Sequence, residues 1–135
     1  MALIDVANGV ADALAEIEGL RAYKPRTMPD GINELPAAVL LIGTTPYNTA
    51  FGGEYDHNLR VILLLATADT PSAYVKLYDY IADSGTKSIK AKLEEDETFG
   101  GVCDTSIVRE NSGAGITYWA GIPYLSSEWT LEIYM

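Results

Sequence analysis

The stretch His57-Asn58-Leu59-Arg60-Val61-Ile62-Leu63-Leu64-Leu65-Ala66-Thr67 decides the fold. Read at period 2, Leu59, Val61, Leu63 and Leu65 fall on one face, and Ile62 and Leu64 fall on the other. Strand is the reading, and it is apolar on both sides. Such a strand is either central to a sheet with helices outside, or it lies in a subunit interface.

Working outward, Ala37–Ile42 (AAVLLI) is a second short apolar strand, bounded by Pro36 and Gly43. Between the two strands, Thr44–Asp56 is polar and glycine-rich around Gly52-Gly53, which suggests a protruding hairpin. Upstream, residues 3–18 place Leu3, Val6, Ala7, Val10, Leu14 and Ile17 on one side of a helical wheel, with Gly19 where a C-cap belongs. From Arg21 to Pro36 the chain is irregular. Pro25, Pro29 and Asp30-Gly31 punctuate it, and Arg21, Lys24 and Arg26 make it basic. It reads as a surface connector spanning one side of the domain.

Downstream, Thr70 and Pro71 open a second helix over 71–84, and Gly85 follows it. Tyr74, Leu77, Tyr78 and Ile81 are its expected buried stripe. A short third helix follows over Thr86–Glu95, with Ile89 and Leu93 inward. The remainder is β-rich: 102–110, a short strand at 116–119, a tight turn at Ala120-Gly121, and a last strand over 126–134. The expected fold is one α+β domain over residues 1–135. It has helices packed on a mostly antiparallel sheet, in the coarse order α-β-β-α-α-β-β.

The 135 residues are 48% hydrophobic and 21% charged, enough for a single core without disulfides. Nine Lys and Arg stand against 19 Asp and Glu, a net charge of -10. That balance disfavours phosphate backbones and anionic membrane surfaces as partners. The lone Cys103 cannot pair within the chain and reads as a small hydrophobe. With no internal disulfide the chain fits folding in a cytosol, and Asp5 stands where a secretory signal would carry basic charge, so no signal peptide is expected. The uncharged run Leu35–Gly53 holds Pro36, Pro46, Asn48 and three glycines, so strand and loop are favoured over a membrane span.

The catalytic inventory is thin. His57, beside Asp56 and close to Glu54, is the single histidine, and no second His or Cys pair completes a transition-metal set. No nucleophile elbow and no phosphate-binding glycine motif occurs. Gly113-Ala114-Gly115 lies between strands rather than before a helix. Glu94-Glu95-Asp96-Glu97 lacks the alternation of a calcium loop. The sequence is read as a non-enzyme with no cofactor. The third helix has Lys87 and Lys90 at its start and Glu94 and Glu95 at its end, against the helix dipole. It must therefore be held by tertiary or quaternary contacts, and its segregated ends could be read by a head-to-tail neighbour.

Three stretches carry a family resemblance. They are the N-terminal helix running into Gly19–Tyr23 and on to Pro36–Val39; Ser84–Glu94 closed by Phe99-Gly100-Gly101-Val102 and Asp104; and Tyr124-Leu125 with Glu128–Tyr134. In these the chain resembles the tail terminator proteins of long-tailed bacteriophages, the tail completion or head-to-tail joining proteins, nearest the variety of actinobacterial phages. Phe99 stands where a smaller aliphatic residue is expected, and Lys92 where an apolar one is.

The resemblance implies a structural virion protein at the neck of the tail, assembled in the host cytoplasm. It implies a homohexameric ring that caps the finished tail tube, stacks on the major tail tube protein, meets the head completion (stopper) protein, and lets double-stranded DNA pass without specific binding. Phe51, Gly52, Gly53, Tyr55, Ile62 and Leu64 are the expected contact residues. Lys87 and Lys90 are expected to face a neighbour's carboxylates, Glu94 and Glu95 among them. Another neck or tube ring component is the alternative, and a small acidic ligand-binding domain a further one.

Overall fold

The structure, a computed structural model, describes residues 2–45, 57–67 and 71–135. Along the chain these form α1 (Leu3–Ala15), β1 (Arg21–Ala22), β2 (Ala37–Ile42), β3 (His57–Ala66), α2 (Pro71–Ile81), α3 (Ile89–Leu93), β4 (Thr105–Asn111), β5 (Gly115–Trp119) and β6 (Ile122–Tyr134). The fold is α+β with a mostly antiparallel sheet, as the sequence predicts. The sheet order is β1-β2-β3-β6-β4, and β5 pairs with β6 on the same edge as β4.

Three differences from the sequence reading have local causes. The connector contributes a strand: Arg21 and Ala22 pair in parallel with Ala37 and Ala38, too briefly for any periodicity to reveal. The first helix ends at Ala15, because residues 16–19 tighten into turns whose amides return to Ala13 and Leu14, and Gly19 closes them at a φ of 82°. The last strand begins four residues early, since Ile122 pairs with Trp119 across the two-residue turn Ala120-Gly121. Both turn residues hold positive φ, 53° and 80°, the twist that joins paired strands.

β3 is central, paired with β2 on one side and β6 on the other. Its face of Leu59, Val61, Leu63 and Leu65 meets α1 (Val6, Val10, Leu14), α2 (Ala73, Leu77, Tyr80) and α3 (Ile89, Leu93) in the main core. Contacts order the helix layer as α1 over β1 and β2, then α3, then α2 over β3 and β6. Ser88 fastens the layer: its hydroxyl accepts the Ala91 amide and donates to the Ala82 carbonyl at the end of α2.

The other sheet face has its own smaller core of Val39, Ile62, Leu64 and Tyr124. The connector crosses it, laying Tyr23, Met28 and Ile32 on these residues, and the Trp119 indole Nε1 donates to the Pro29 carbonyl at 3.2 Å. The surface connector of the sequence reading thus covers the second apolar face.

Candidate interaction surface

The helix layer stops short of one sheet edge. β4 and β5 run end to end along the same side of β6, interrupted at 112–114. Register places Ile116 opposite Leu125 and Tyr118 opposite Pro123. Leu125 belongs to the helix-side core, so Ile116 and Tyr118 lie on the helix side of the sheet. Both are exposed there, Tyr118 at 71%.

The flank of α2 next to this edge is also apolar. Half of the expected stripe is corrected here: the buried face of α2 is Ala73, Leu77 and Tyr80, with Ile81 half-buried against the core, while Tyr74 and Tyr78 are exposed, Tyr78 at 65%. The helix is turned by about one residue, or roughly 100°, from the expected stripe. Leu77 is common to both faces, so either rotation buries it. The two exposed rings meet edge to face at 5.8 Å. Between α2 and the β4–β5 interruption lies an open cleft of about 630 Å³, lined by Tyr74, Leu77, Tyr78 and Ile81 with Gly113 and Ala114 on its far side. Asp79 and Asp83 give its rim negative charge. Burial pushes the Tyr80 hydroxyl up from its ordinary pKa, with Asp79 adding to the rise.

The residues expected at an interface fare differently. Phe51, Gly52, Gly53 and Tyr55 lie outside the described residues. Ile62 and Leu64 are 3% and 0% exposed, beneath the connector. The expectation that a neighbour covers them is corrected: the same chain does. Lys90 reaches Glu94 at 2.8 Å, and Lys92 holds Glu16, just past the end of α1, at 3.1 Å and Glu95 at 3.0 Å. The third helix is thus held by tertiary contacts, and the charges of Lys90, Glu94 and Glu95 are engaged within the chain. Glu94 as hydrogen-bond partner raises the Lys90 pKa, which remains charged. Lys87 lies over the Tyr80 ring, 5.8 Å from its centroid.

Elsewhere the chemistry is structural. His57 Nδ1 is 3.2 Å from the Thr45 hydroxyl. Cys103 is buried, and desolvation, with Asp104 and Asp96 nearby, raises its thiol pKa. Among the described residues no three His, Cys, Asp or Glu side chains gather as a metal site, and no helix is long and apolar enough to cross a membrane. The exposed residues that sequence reasoning missed, Tyr74, Tyr78, Ile116 and Tyr118, left one signal. In Ile116-Thr117-Tyr118-Trp119 both faces of a short strand carry bulky apolar groups, which an edge strand cannot cover alone.

Neither a protein-family model nor a curated protein sequence matches the chain.

Proposed function

We propose that this chain is a tail terminator of a long-tailed bacteriophage: a ring subunit, six to a ring, that caps the completed tail tube, stops its polymerisation and joins the tail to the head completion protein. The open lumen passes double-stranded DNA. The observation that carries the reading is the exposure of apolar side chains on two neighbouring elements, Tyr74 and Tyr78 on α2 and Ile116 and Tyr118 on β5, on a chain of net charge -10. An exposed apolar strip of this kind on a small, otherwise acidic domain is a protein contact surface. The resemblance to tail terminators, in the N-terminal helix running into Gly19–Tyr23 and on to Pro36–Val39, in Ser84–Glu94 with Phe99–Val102 and Asp104, and in Tyr124-Leu125 with Glu128–Tyr134, supports this kind of assembly. The α+β core, with its helices on one side of a mostly antiparallel sheet, is compatible with that role.

Electron microscopy of tails assembled without this protein tests the proposal. A missing terminator leaves tails of uncontrolled length. Tails of normal length that fail to join heads indicate a head completion protein instead, and an absence of tubes indicates a tube subunit.

A further inference from the structure

The two edges of the sheet carry unlike surfaces. At the β4–β5 edge is the aromatic cleft, rimmed by Asp79 and Asp83. At the β1 edge, three cations fall within six residues, Arg21, Lys24 and Arg26, on a chain that has nine in all. Arg21 is exposed and its guanidinium lies 5.2 Å from the centre of the Tyr23 ring, with Glu18 and Glu34 bordering the same depression. Lys24 pairs with Asp12 at 3.1 Å. Arg26, on the single 3-10 turn Pro25–Thr27, is exposed and makes no ion pair among the described residues. Four strand spacings separate the two edges, about 19 Å across the sheet.

We propose that the cleft between α2 and the β4–β5 edge is filled by the β1 edge of a second copy of this chain, with Arg26 and Arg21 meeting Asp79 and Asp83. The apolar side chains of the cleft, Tyr74, Leu77, Tyr78 and Ile81, supply the burial, exposed Ile116 and Tyr118 on β5 extend the contact beyond it, and the charges set the orientation. Pairing two clefts face to face would set four carboxylates against one another, so a two-fold contact is disfavoured. The contact is heterologous: each copy gives one edge and receives on the other, and such contacts close into rings or run on as filaments. The inference rests on the ring reading for closure at six, while the contact itself is read from the two edges.

Sedimentation of the full-length chain at high protein concentration, in low and in high salt, tests it. Wild type associates at low salt and less so at high salt. Arg21→Glu with Arg26→Glu, or Asp79→Lys with Asp83→Lys, each weakens association at least tenfold, with thermal midpoints near wild type because the substituted cations and the cleft rim face solvent. Mixing the two variants restores it, because each then finds an edge of opposite sign. Tyr118→Ser, on the hairpin and away from α2, weakens association independently of the charges. A wild type that stays monomeric throughout overturns the contact, as do reversal variants that associate normally or a mixture that stays apart. A neck ring of six built on another surface sinks this contact and leaves the tail terminator reading standing. A restored mixture from a protein absent from the neck does the reverse.

Discussion

Gly9 sits inside α1, where alanine ordinarily gains about 1 kcal/mol of helix stability. Here a Cβ would stand 2.9 Å from the Phe99 Cβ and 3.3 Å from the Phe99 carbonyl oxygen. Phe99 is buried with a φ of 49°, a left-handed conformation that ties its backbone to this loop. Gly9→Ala should therefore destabilise, by about 1–3 kcal/mol as overpacking does; a raised denaturation midpoint would show that the loop yields. The same loop is organised by Asp96, whose carboxylate accepts the Thr98 hydroxyl at 2.8 Å, the Gly100 amide at 2.9 Å and the Thr98 amide at 3.1 Å. These bonds, the hydroxyl foremost, hold its pKa below the ordinary carboxylate value. A pKa depressed on folding stabilises above the unfolded value, near 3.9, and the gain fades as pH falls through the folded value. Asp96→Ala should lower the urea midpoint at neutral pH, and the gap to wild type should close in acid. A gap independent of pH would mean that the carboxylate's charge is not what the loop uses.

At the scale of the element, α2 separates two readings of one sequence. Leu77→Ala empties a site in the main core and should cost about 2–5 kcal/mol. Tyr78→Ala should change stability by no more than about 0.5 kcal/mol, since the ring is mostly in water. Equal losses at both positions, measured by denaturant titration, would restore the expected stripe. The sequence does not distinguish the two because Ala73, Leu77 and Tyr80 and the expected Tyr74, Leu77, Tyr78 and Ile81 lie on adjacent faces, each of helical period. Tyrosine is at home in a core or on a surface, so the choice falls to the sheet and α3, which periodicity does not see. β3 was legible as a strand apolar on both faces, because period 2 over Leu59–Leu65 states both, but whether it is central to a sheet or in a subunit interface was left open until its pairing with β2 and β6 decided it. What covers the second face was not: Tyr23, Met28 and Ile32 are spaced irregularly among prolines and charges, and only their packing on Ile62 and Leu64 identifies them as a lid. The candidate contact surface was equally hidden. It exists because α2 leaves β5 uncovered, which is a property of layer width rather than of any local motif.

For the whole molecule, charge limits what the proposed ring can do to DNA. Six chains at -10 each carry -60. Of nine cations per chain, Lys24, Arg60, Lys90, Lys92 and Arg109 are already held by Asp12, Glu128, Glu94, Glu16 with Glu95, and Glu132. If Arg21 and Arg26 serve the contact between copies, Lys76 and Lys87 are left with no ion pair among the described residues, and Lys87 leans on Tyr80. Compact packing gives a radius of gyration of about 14 Å, so six subunits side by side leave a lumen of roughly 30 Å, wide enough for a duplex. A lysine or arginine that neutralised a phosphate there would release counterions and add affinity, a brake on ejection. Acidic or weakly charged walls repel the backbone along its length and keep the duplex centred, at the expense of repulsion between subunits that apolar contacts must overcome. The lumen of the assembled ring should therefore be net negative or nearly neutral, with few cationic side chains at the axis. The assembled protein should bind duplex DNA weakly even at low salt, where electrostatic attraction is strongest. Tight duplex binding in a low-salt titration, or an excess of Lys and Arg facing the channel in a ring reconstruction, would mean that the ring grips the DNA it is proposed to pass.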